Sequence, residues 1–146
     1  MKTTKDPVYT PPAPSKVLKI SLWIAQVYLA AMFGMAGVIK TFLSIPEMVA
    51  KGITFAPDVP LWLTRFIGIA ELSGAIGIIL PALTRVAPRL TWMAAAGFAA
   101  IQILAIGFHA MRGESAHTLP LNLALLLPAV FVLWGRSVKA PIPRRQ

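Results

Sequence analysis

One carboxylate stands in the middle of an apolar run that is long enough to cross a bilayer. The run extends from Leu61 to Leu80, and Glu71 lies ten residues from its start. At about 1.5 Å per residue this places Glu71 about 15 Å deep, near the midplane of a membrane. A carboxylate at that depth costs several kcal/mol unless it is paired, hydrated or protonated. Glu71 is therefore expected to belong to a buried polar site.

Five further polar side chains are predicted to lie at the depth of Glu71 or closer to the same membrane surface. Because the interior of a helical bundle can gather such residues, we expect one cavity that opens on that side. The candidate ligand-binding residues are therefore Glu71, Arg65, His109, Lys40, Gln102 and Asn122. Carboxylate and imidazole groups can exchange protons with a bound molecule, and the other side chains can form hydrogen bonds with it.

Small residues accompany these polar groups on helical faces. Glu71 shares a face with Gly68, Gly74 and Ala75, at offsets of three and four residues. Small residues allow helices to approach closely, so this face is expected to point at another helix. Comparable stripes lie in two other runs: Gln26, Ala30, Gly34, Gly37 and Thr41, and Ala95, Ala99, Gln102, Ile106 and His109.

Each candidate also has a purely structural interpretation. Lys40 and Arg65 can extend to the membrane interface, and amides such as Gln26, Gln102 and Asn122 can join helices by hydrogen bonds. His109 can be a packing residue, and Glu71 can form a structural ion pair with Arg65 or His109. Arg65 and Glu71 are six residues apart, about 120° around a helix, so a partner from another helix, His109 or Lys40, or a ligand fits better.

The composition places these residues in a membrane protein. Hydrophobic residues make up 57% of the 146 residues and charged residues 13%, against about 25% charged in a soluble domain. Four apolar runs, at about residues 20–40, 61–80, 89–111 and 117–135, approach or exceed the roughly 20 residues of a transmembrane helix. The sequence therefore predicts an all-α, integral membrane four-helix bundle that forms one domain at residues 17–136.

Two basic, proline-rich tails, residues 1–16 and 137–146, flank this domain and are predicted to be disordered. Ten of the 14 Lys and Arg residues lie in or beside these tails or in the turn at 81–89. Positive residues accumulate on the cytoplasmic side, so both termini are predicted to be cytoplasmic. The net charge of +9 flanks the spans, which indicates contact with membrane lipids and no nucleic-acid partner.

The longest connection, residues 43–60, contains a predicted short helix. Pro46 stands at its start and Gly52 follows Lys51 at its end, as is typical of helix boundaries. This segment is expected to be a plain interfacial loop. The alternative is a lid that, together with Ile53 and Phe55, lies over the cavity.

Three stretches carry a resemblance to a known family. They are Arg65-Phe-Ile-Gly-Ile-Ala-Glu71-Leu-x-Gly-Ala-x-Gly-x-x-Leu-Pro81, Gly34-x-x-Gly37-x-x-Lys40 and His109-x-x-Arg112-Gly-Glu114. Over about residues 20–136 the sequence resembles DoxX-like membrane proteins. The resemblance implies a four-helix protein of the cytoplasmic (inner) membrane. Members include DoxD and DoxX proteins linked to thiosulfate:quinone oxidoreduction and terminal oxidase complexes, and distant eukaryotic relatives look like chaperones or cargo receptors.

The first functional hypothesis is a site for a quinone or lipid-like small molecule, in a membrane subunit of a redox complex. The chain has no cysteine, which excludes thiol–disulfide chemistry and iron–sulfur ligation, so a redox partner subunit would supply electrons. Neither catalytic residues nor a metal site is predicted. The leading alternative is a non-enzymatic assembly factor or scaffold that packs against partner helices. A proton-coupled transporter, which would act as a homo-oligomer, and haem ligation by His109 and His117 are further alternatives.

Overall fold

The structure, a computed structural model, describes residues 13–145. Within these residues the chain folds into five α-helices and contains no β-strand. The helices are α1 (Lys16–Phe42), α2 (Ile45–Ala50), α3 (Leu61–Thr84), α4 (Arg89–Met111) and α5 (Ser115–Trp134). A 3-10 turn spans Ala56–Asp58, and a π-helical turn at Gly135–Lys139 continues α5. The all-α prediction is confirmed, and four helices in this part of the chain are long and apolar enough to cross a membrane.

Local sequence signals explain several helix starts. The Ser15 side chain accepts a hydrogen bond of 3.2 Å from a backbone N–H in the first turn of α1 and so caps this helix. Ser44 and Glu47 form a capping box at the start of α2. Pro60 and Pro88 directly precede α3 and α4. Proline lacks an N–H, and the first N–H groups of a helix have no helical partner, so little is lost there.

Several helices extend beyond the predicted spans. α1 begins at Lys16 instead of about residue 20, α3 continues through Pro81 to Thr84, and the helical backbone after α5 ends at Lys139. A span prediction ends where hydropathy falls, whereas backbone hydrogen bonds continue through polar residues. After Thr84 the helix stops because Arg85 adopts a left-handed conformation, with φ of 60°.

Both tails were predicted to be disordered. Residues 1–12 lie outside the described residues, so the structure does not test the prediction for them. In the other tail, the helical turn runs to Lys139 and Ala140 is 2% exposed. The backbone N–H of Arg145 donates a hydrogen bond of 3.1 Å to the carbonyl of Arg85. Ala140 and the backbone N–H of Arg145 thus contact the bundle, while most side chains of residues 137–145 are exposed.

Two glycines let α1 and α3 approach closely. A Cβ atom added to Gly37 would lie 2.8 Å from the Gly68 carbonyl oxygen, and one added to Gly68 would lie 2.6 Å from the Thr41 hydroxyl. Any side chain larger than hydrogen would push the helices apart. The face of α3 that carries Gly68 therefore points at another helix, as predicted.

The apolar core lies in the middle of the bundle. The rings of Phe33 on α1 and Phe98 on α4 stack with centroids 3.8 Å apart and planes within 3°. The terminus end of the bundle is defined here as the end that holds residues 13–15, 85–88 and 140–145. The loop end holds residues 43–60 and 112–114. The cytoplasmic location of the terminus end stays a prediction.

Candidate functional site

Glu71 forms an ion pair with a lysine of the neighbouring helix. Lys40 Nζ donates to Glu71 Oε1 at 2.6 Å, and the two residues are 8% and 2% exposed. Lys40 was one of the two partners expected from another helix. Among the described residues, Glu71 forms no ion pair with Arg65 or His109, so these two suggested structural pairs are wrong. Arg65 lies on a different side of α3, and His109 instead pairs with Glu114, five residues later.

The end of α1 is positioned by its contacts with α3. Lys40 lies in the last turn of α1, three residues after Gly37, whose close approach to Gly68 brings this turn onto α3. Arg65 Nη1 donates to the Lys40 backbone carbonyl at 2.9 Å. The last carbonyls of a helix have no helical partner, so Arg65 satisfies one of them. Arg65 thus supports the end of α1 and does not line the cavity beside Lys40 and Glu71.

A cavity of about 410 Å³ opens beside the ion pair. All four long helices line it, together with part of the 43–60 connection, and most of the lining is apolar. Five of the six candidate ligand-binding residues contribute to this lining: Lys40, Glu71, Gln102, His109 and Asn122. The fold therefore brings these five together, and their role in binding stays a prediction.

Three polar atoms of the lining residues are buried without a hydrogen-bond partner among residues 13–145. They are Glu71 Oε2, Gln102 Oε1 and Asn122 Nδ2. A buried polar atom without a partner costs roughly 1–3 kcal/mol, and nearly all such atoms in native proteins contact protein, water or ligand. The lining thus has unused hydrogen-bonding capacity of both the acceptor and the donor type.

The polar groups of the lining include both hydrogen-bond donors and acceptors. Within the described residues, no group of three or more His, Asp or Glu side chains is placed to hold a metal. The ammonium group of Lys40 lies against Glu71 and would repel a cation at that carboxylate. Amide, carboxylate and ammonium groups together suit a molecule that both donates and accepts hydrogen bonds.

The segment after α2 covers the loop end of the cavity. Ile53 and Phe55 line it, and the Phe55 ring packs edge-on against Phe108 and His109, with centroid distances of 5.8 and 6.2 Å. The predicted short helix is confirmed by α2, which is anchored by the buried side chain of Met48. The cover is formed by the residues that follow α2 and not by α2 itself.

A charged network at the loop end ties this cover to the α4–α5 turn. Arg112 donates to Asp58 from Nη1 at 2.6 Å and to Glu114 from Nε and Nη2 at 3.0 and 2.9 Å. His109 Nδ1 lies 2.8 Å from Glu114 Oε2. Hydrogen bonds from Arg112, and then from His109, lower the pKa of Glu114 from 4.5 to about 2. Hydrogen bonds to Glu114 and Asp58 raise the pKa of Arg112.

Sequence reasoning did not assign Asp58, Arg112 and Glu114 to the site, because charges in connections are ordinarily solvated. The sequence feature that could have indicated Arg112 and Glu114 is the spacing His109-x-x-Arg112-Gly-Glu114. Gly113 has a φ of 73° and turns the chain so that Glu114 reaches back to His109. The pattern therefore encodes a local turn that joins the cavity lining to its cover.

Four apolar helices around buried polar residues define a multi-pass membrane protein. The sequence model of the DoxX-like family matches residues 24–132, from α1 into α5. The chain belongs to the DoxX-like family, which confirms the resemblance found over about residues 20–136. No curated protein and no solved structure matches the chain.

Proposed function

We propose that this protein binds a quinone or lipid-like small molecule in the cavity beside Lys40 and Glu71. One observation carries the proposal. Glu71 Oε2, Gln102 Oε1 and Asn122 Nδ2 are buried without partners among residues 13–145, and these three residues line the same largely apolar cavity. A quinone headgroup offers polar atoms to such a site, while its ring and isoprenoid chain contact apolar walls.

The size of the cavity and its access from lipid support this class of ligand. Its volume of about 410 Å³ falls within the range of about 300–1,000 Å³ for small-molecule sites. Leu104 of α4 and Leu121 of α5 line the cavity and are also 73% and 54% exposed. The cavity therefore reaches the lipid-facing surface between these helices, where an isoprenoid or acyl chain can leave it.

The hydrogen-bonding groups match both redox forms of a quinone. Lys40 and Asn122 carry donors for the carbonyl oxygens of a quinone, and Glu71 and Gln102 carry acceptors for the hydroxyl groups of a quinol. An amide exposes either its nitrogen or its oxygen after rotation, so Gln102 and Asn122 can exchange these roles. Glu71 or His109 would exchange protons with the headgroup.

A quinone-binding chain of this composition would act as the membrane subunit of a redox complex. Reduction of a quinone to a quinol takes up electrons and protons in equal number, and this chain has no cysteine with which to hold an iron–sulfur cluster. A redox partner subunit would therefore deliver the electrons. The chain itself would bind and orient the headgroup and exchange its protons.

We assign the protein to the cytoplasmic (inner) membrane, with the terminus end toward the cytoplasm. The assignment rests on the Lys and Arg residues that lie in or beside the two tails or in the turn at 81–89, ten of 14 in the sequence. The cavity would then open in the outer half of the bilayer. Reactivity of a single cysteine introduced at the exposed position Val138 toward a membrane-impermeant reagent tests this orientation.

The ligand is tested by mass spectrometry of the lipids and quinones that co-purify with the protein from its native membrane. Glu71→Gln removes the carboxylate, and Glu47→Gln, at an exposed position that retains the capping pattern, is the matched control. We expect a quinone enriched over bulk lipid with the wild type and the control. Loss of a charge-assisted hydrogen bond should lower this enrichment about tenfold in Glu71→Gln.

A folded Glu71→Gln protein that keeps as much quinone as the wild type contradicts the proposal, as does wild-type protein that carries only bulk lipid. If the single variant does not fold, the double variant Lys40→Met with Glu71→Leu removes both charges at similar volume. The double variant should fold, lose the quinone and show no rise in melting temperature when quinone is added.

A groove between α3 and α4 favours a second candidate function, a non-enzymatic scaffold that packs against partner helices. Ser73, Gly77 and Gly97 line it, and a Cβ added to Gly97 would meet nothing within 4 Å. Small residues of this kind allow another helix to pack closely. Because the chain has no cysteine, Gly97→Cys introduces one unique thiol for cross-linking in native membranes. A specific cross-linked product supports the scaffold or a homo-oligomer. Cross-linking no stronger than that of the control Leu83→Cys, at an exposed position, contradicts both.

A further inference from the structure

A buried arginine lies at the terminus end, away from the cavity. Arg136 is 6% exposed. Its Nε donates to Gln26 Oε1 at 2.7 Å, its Nη1 donates to the Ala140 carbonyl at 3.4 Å, and its guanidinium lies 5.6 Å from the centroid of the Trp23 ring. Its other terminal nitrogen, Nη2, is buried and has no hydrogen-bond partner among residues 13–145.

No carboxylate within residues 13–145 balances the charge of Arg136. Glu71 pairs with Lys40, and Glu47 accepts from Ser44. The other two acidic residues in this part of the chain, Asp58 and Glu114, pair with Arg112 at the loop end. A buried cation without a counter-ion costs several kcal/mol, so an anion from outside the described chain would stabilise it.

Three helices hold the guanidinium in place. A Cβ atom on Gly135 would clash with Leu22, so the glycine lets the start of the π-helical turn lie directly on α1. Gln26 donates from Nε2 to the Ile78 carbonyl of α3 at 2.8 Å, which leaves its oxygen for Arg136. The arginine is therefore oriented before any ligand arrives, as a preorganised binding site requires.

The one unpartnered nitrogen of this guanidinium, Nη2, can donate to a phosphate oxygen. Arginine presents paired N–H donors whose geometry matches phosphate oxygens. Arg136 follows Trp134, where the apolar part of the last span ends, so its backbone lies near the depth of lipid headgroups. The backbone contact between Arg145 and Arg85 brings two further basic residues to the same end of the bundle.

We propose that Arg136 binds a phosphate-type anion at the terminus end of the bundle. The phosphodiester of an anionic phospholipid and free inorganic phosphate share this chemistry. The site is independent of the cavity, so Glu71→Gln should leave it intact, and the failure of one proposal does not affect the other.

The test uses the full chain in detergent. Native mass spectrometry measures how much anionic phosphatidylglycerol the protein retains, compared with zwitterionic phosphatidylcholine. Arg136→Gln removes the charge, and Lys139→Gln, three residues later and exposed, is the matched control. We expect the wild type and Lys139→Gln to retain phosphatidylglycerol within about twofold of one another, since an exposed charge contributes little. Arg136→Gln should retain about tenfold less.

Inorganic phosphate added to lipid-free protein separates the two sources. A rise in melting temperature that requires Arg136 identifies free phosphate as a ligand, and loss of phosphatidylglycerol without such a rise identifies the lipid. Equal lipid retention and equal phosphate response in the wild type and Arg136→Gln overturn the proposal. If Arg136→Gln does not fold, the double variant Arg136→Met with Gln26→Leu removes the charge together with its hydrogen-bond partner at similar volume. Phosphatidylglycerol retention equal to that of the wild type then overturns the proposal in the same way.

Discussion

Lys40 Nζ lies 2.6 Å from Glu71 Oε1, across the interface of α1 and α3, and both side chains are buried. The lysine engages one carboxylate oxygen, and the other oxygen has no partner within residues 13–145. A buried ion pair gives little net stability over an apolar pair of the same volume. Stability alone therefore does not explain why this pair is buried beside the cavity.

Removal of one member of this pair should be more harmful than removal of both. Lys40→Met leaves Glu71 buried and unpaired, which should cost about 3–5 kcal/mol, whereas Lys40→Met with Glu71→Leu should recover most of that loss. Thermal unfolding in detergent measures both, with Lys51→Met at an exposed position as the control. A double variant as unstable as the single one would show that the pair itself stabilises the fold.

The contact between Gly37 and Gly68 should be sensitive to a single methyl group. Gly68→Ala puts a Cβ against Thr41 and should destabilise the bundle by about 1–3 kcal/mol. Gly107→Ala is the control, since its Cβ would meet nothing within 4 Å and alanine favours a helix. Melting temperatures should fall for the first and stay level or rise for the second. Equal effects would contradict the close approach of α1 and α3.

The network around Glu114 should weaken in acid. Its pKa is lowered in the folded protein from 4.5 to about 2, first by Arg112 and then by His109, so the ionised form favours the folded state. This contribution is complete above about pH 4.5 and is lost as the pH falls toward 2. The difference in melting temperature between the wild type and Glu114→Gln should therefore be constant above that range and shrink within it. A difference that does not change with pH would contradict the low pKa.

Phe55 should control how tightly the cavity holds the proposed quinone. Phe55→Ala removes two edge-on aromatic contacts from the cover, those with Phe108 and His109, and should weaken binding of a short-chain quinone analogue about tenfold. Binding is followed by the rise in melting temperature across a titration. Phe42→Ala is the control, because Phe42 is 71% exposed. Equal binding by both variants would exclude a role for the cover.

Particular residues show why part of the site was predictable from sequence. Glu71 stands out because a charge at membrane depth is costly wherever its helix packs. Lys40, Gln102, His109 and Asn122 follow from depth along apolar runs, since helix rise is constant. Arg65 has a similar depth, yet it points to the Lys40 carbonyl and not into the cavity. Depth predicts a layer of the bundle, but orientation depends on how neighbouring helices are rotated.

The burial of Arg136, by contrast, could not be predicted from the sequence. Its position at the end of a span is typical of a solvated, positive-inside charge. The structure buries it because Gly135 lets the turn lie on α1 and Gln26 offers an oxygen. The contact with Gln26 joins residues 110 positions apart, and no local pattern in either segment indicates it.

The sequence by itself determined the four membrane-crossing helices, the short helix α2 and the need for a polar site at Glu71. Each of these follows from hydropathy, capping or the cost of one buried charge, which are local properties. The tertiary structure decided that Glu71 pairs with Lys40, that Arg65 supports α1 from outside the cavity, and that Arg136 is buried. Such choices depend on helix rotation and close approach, which arise from the joint packing of side chains on several helices.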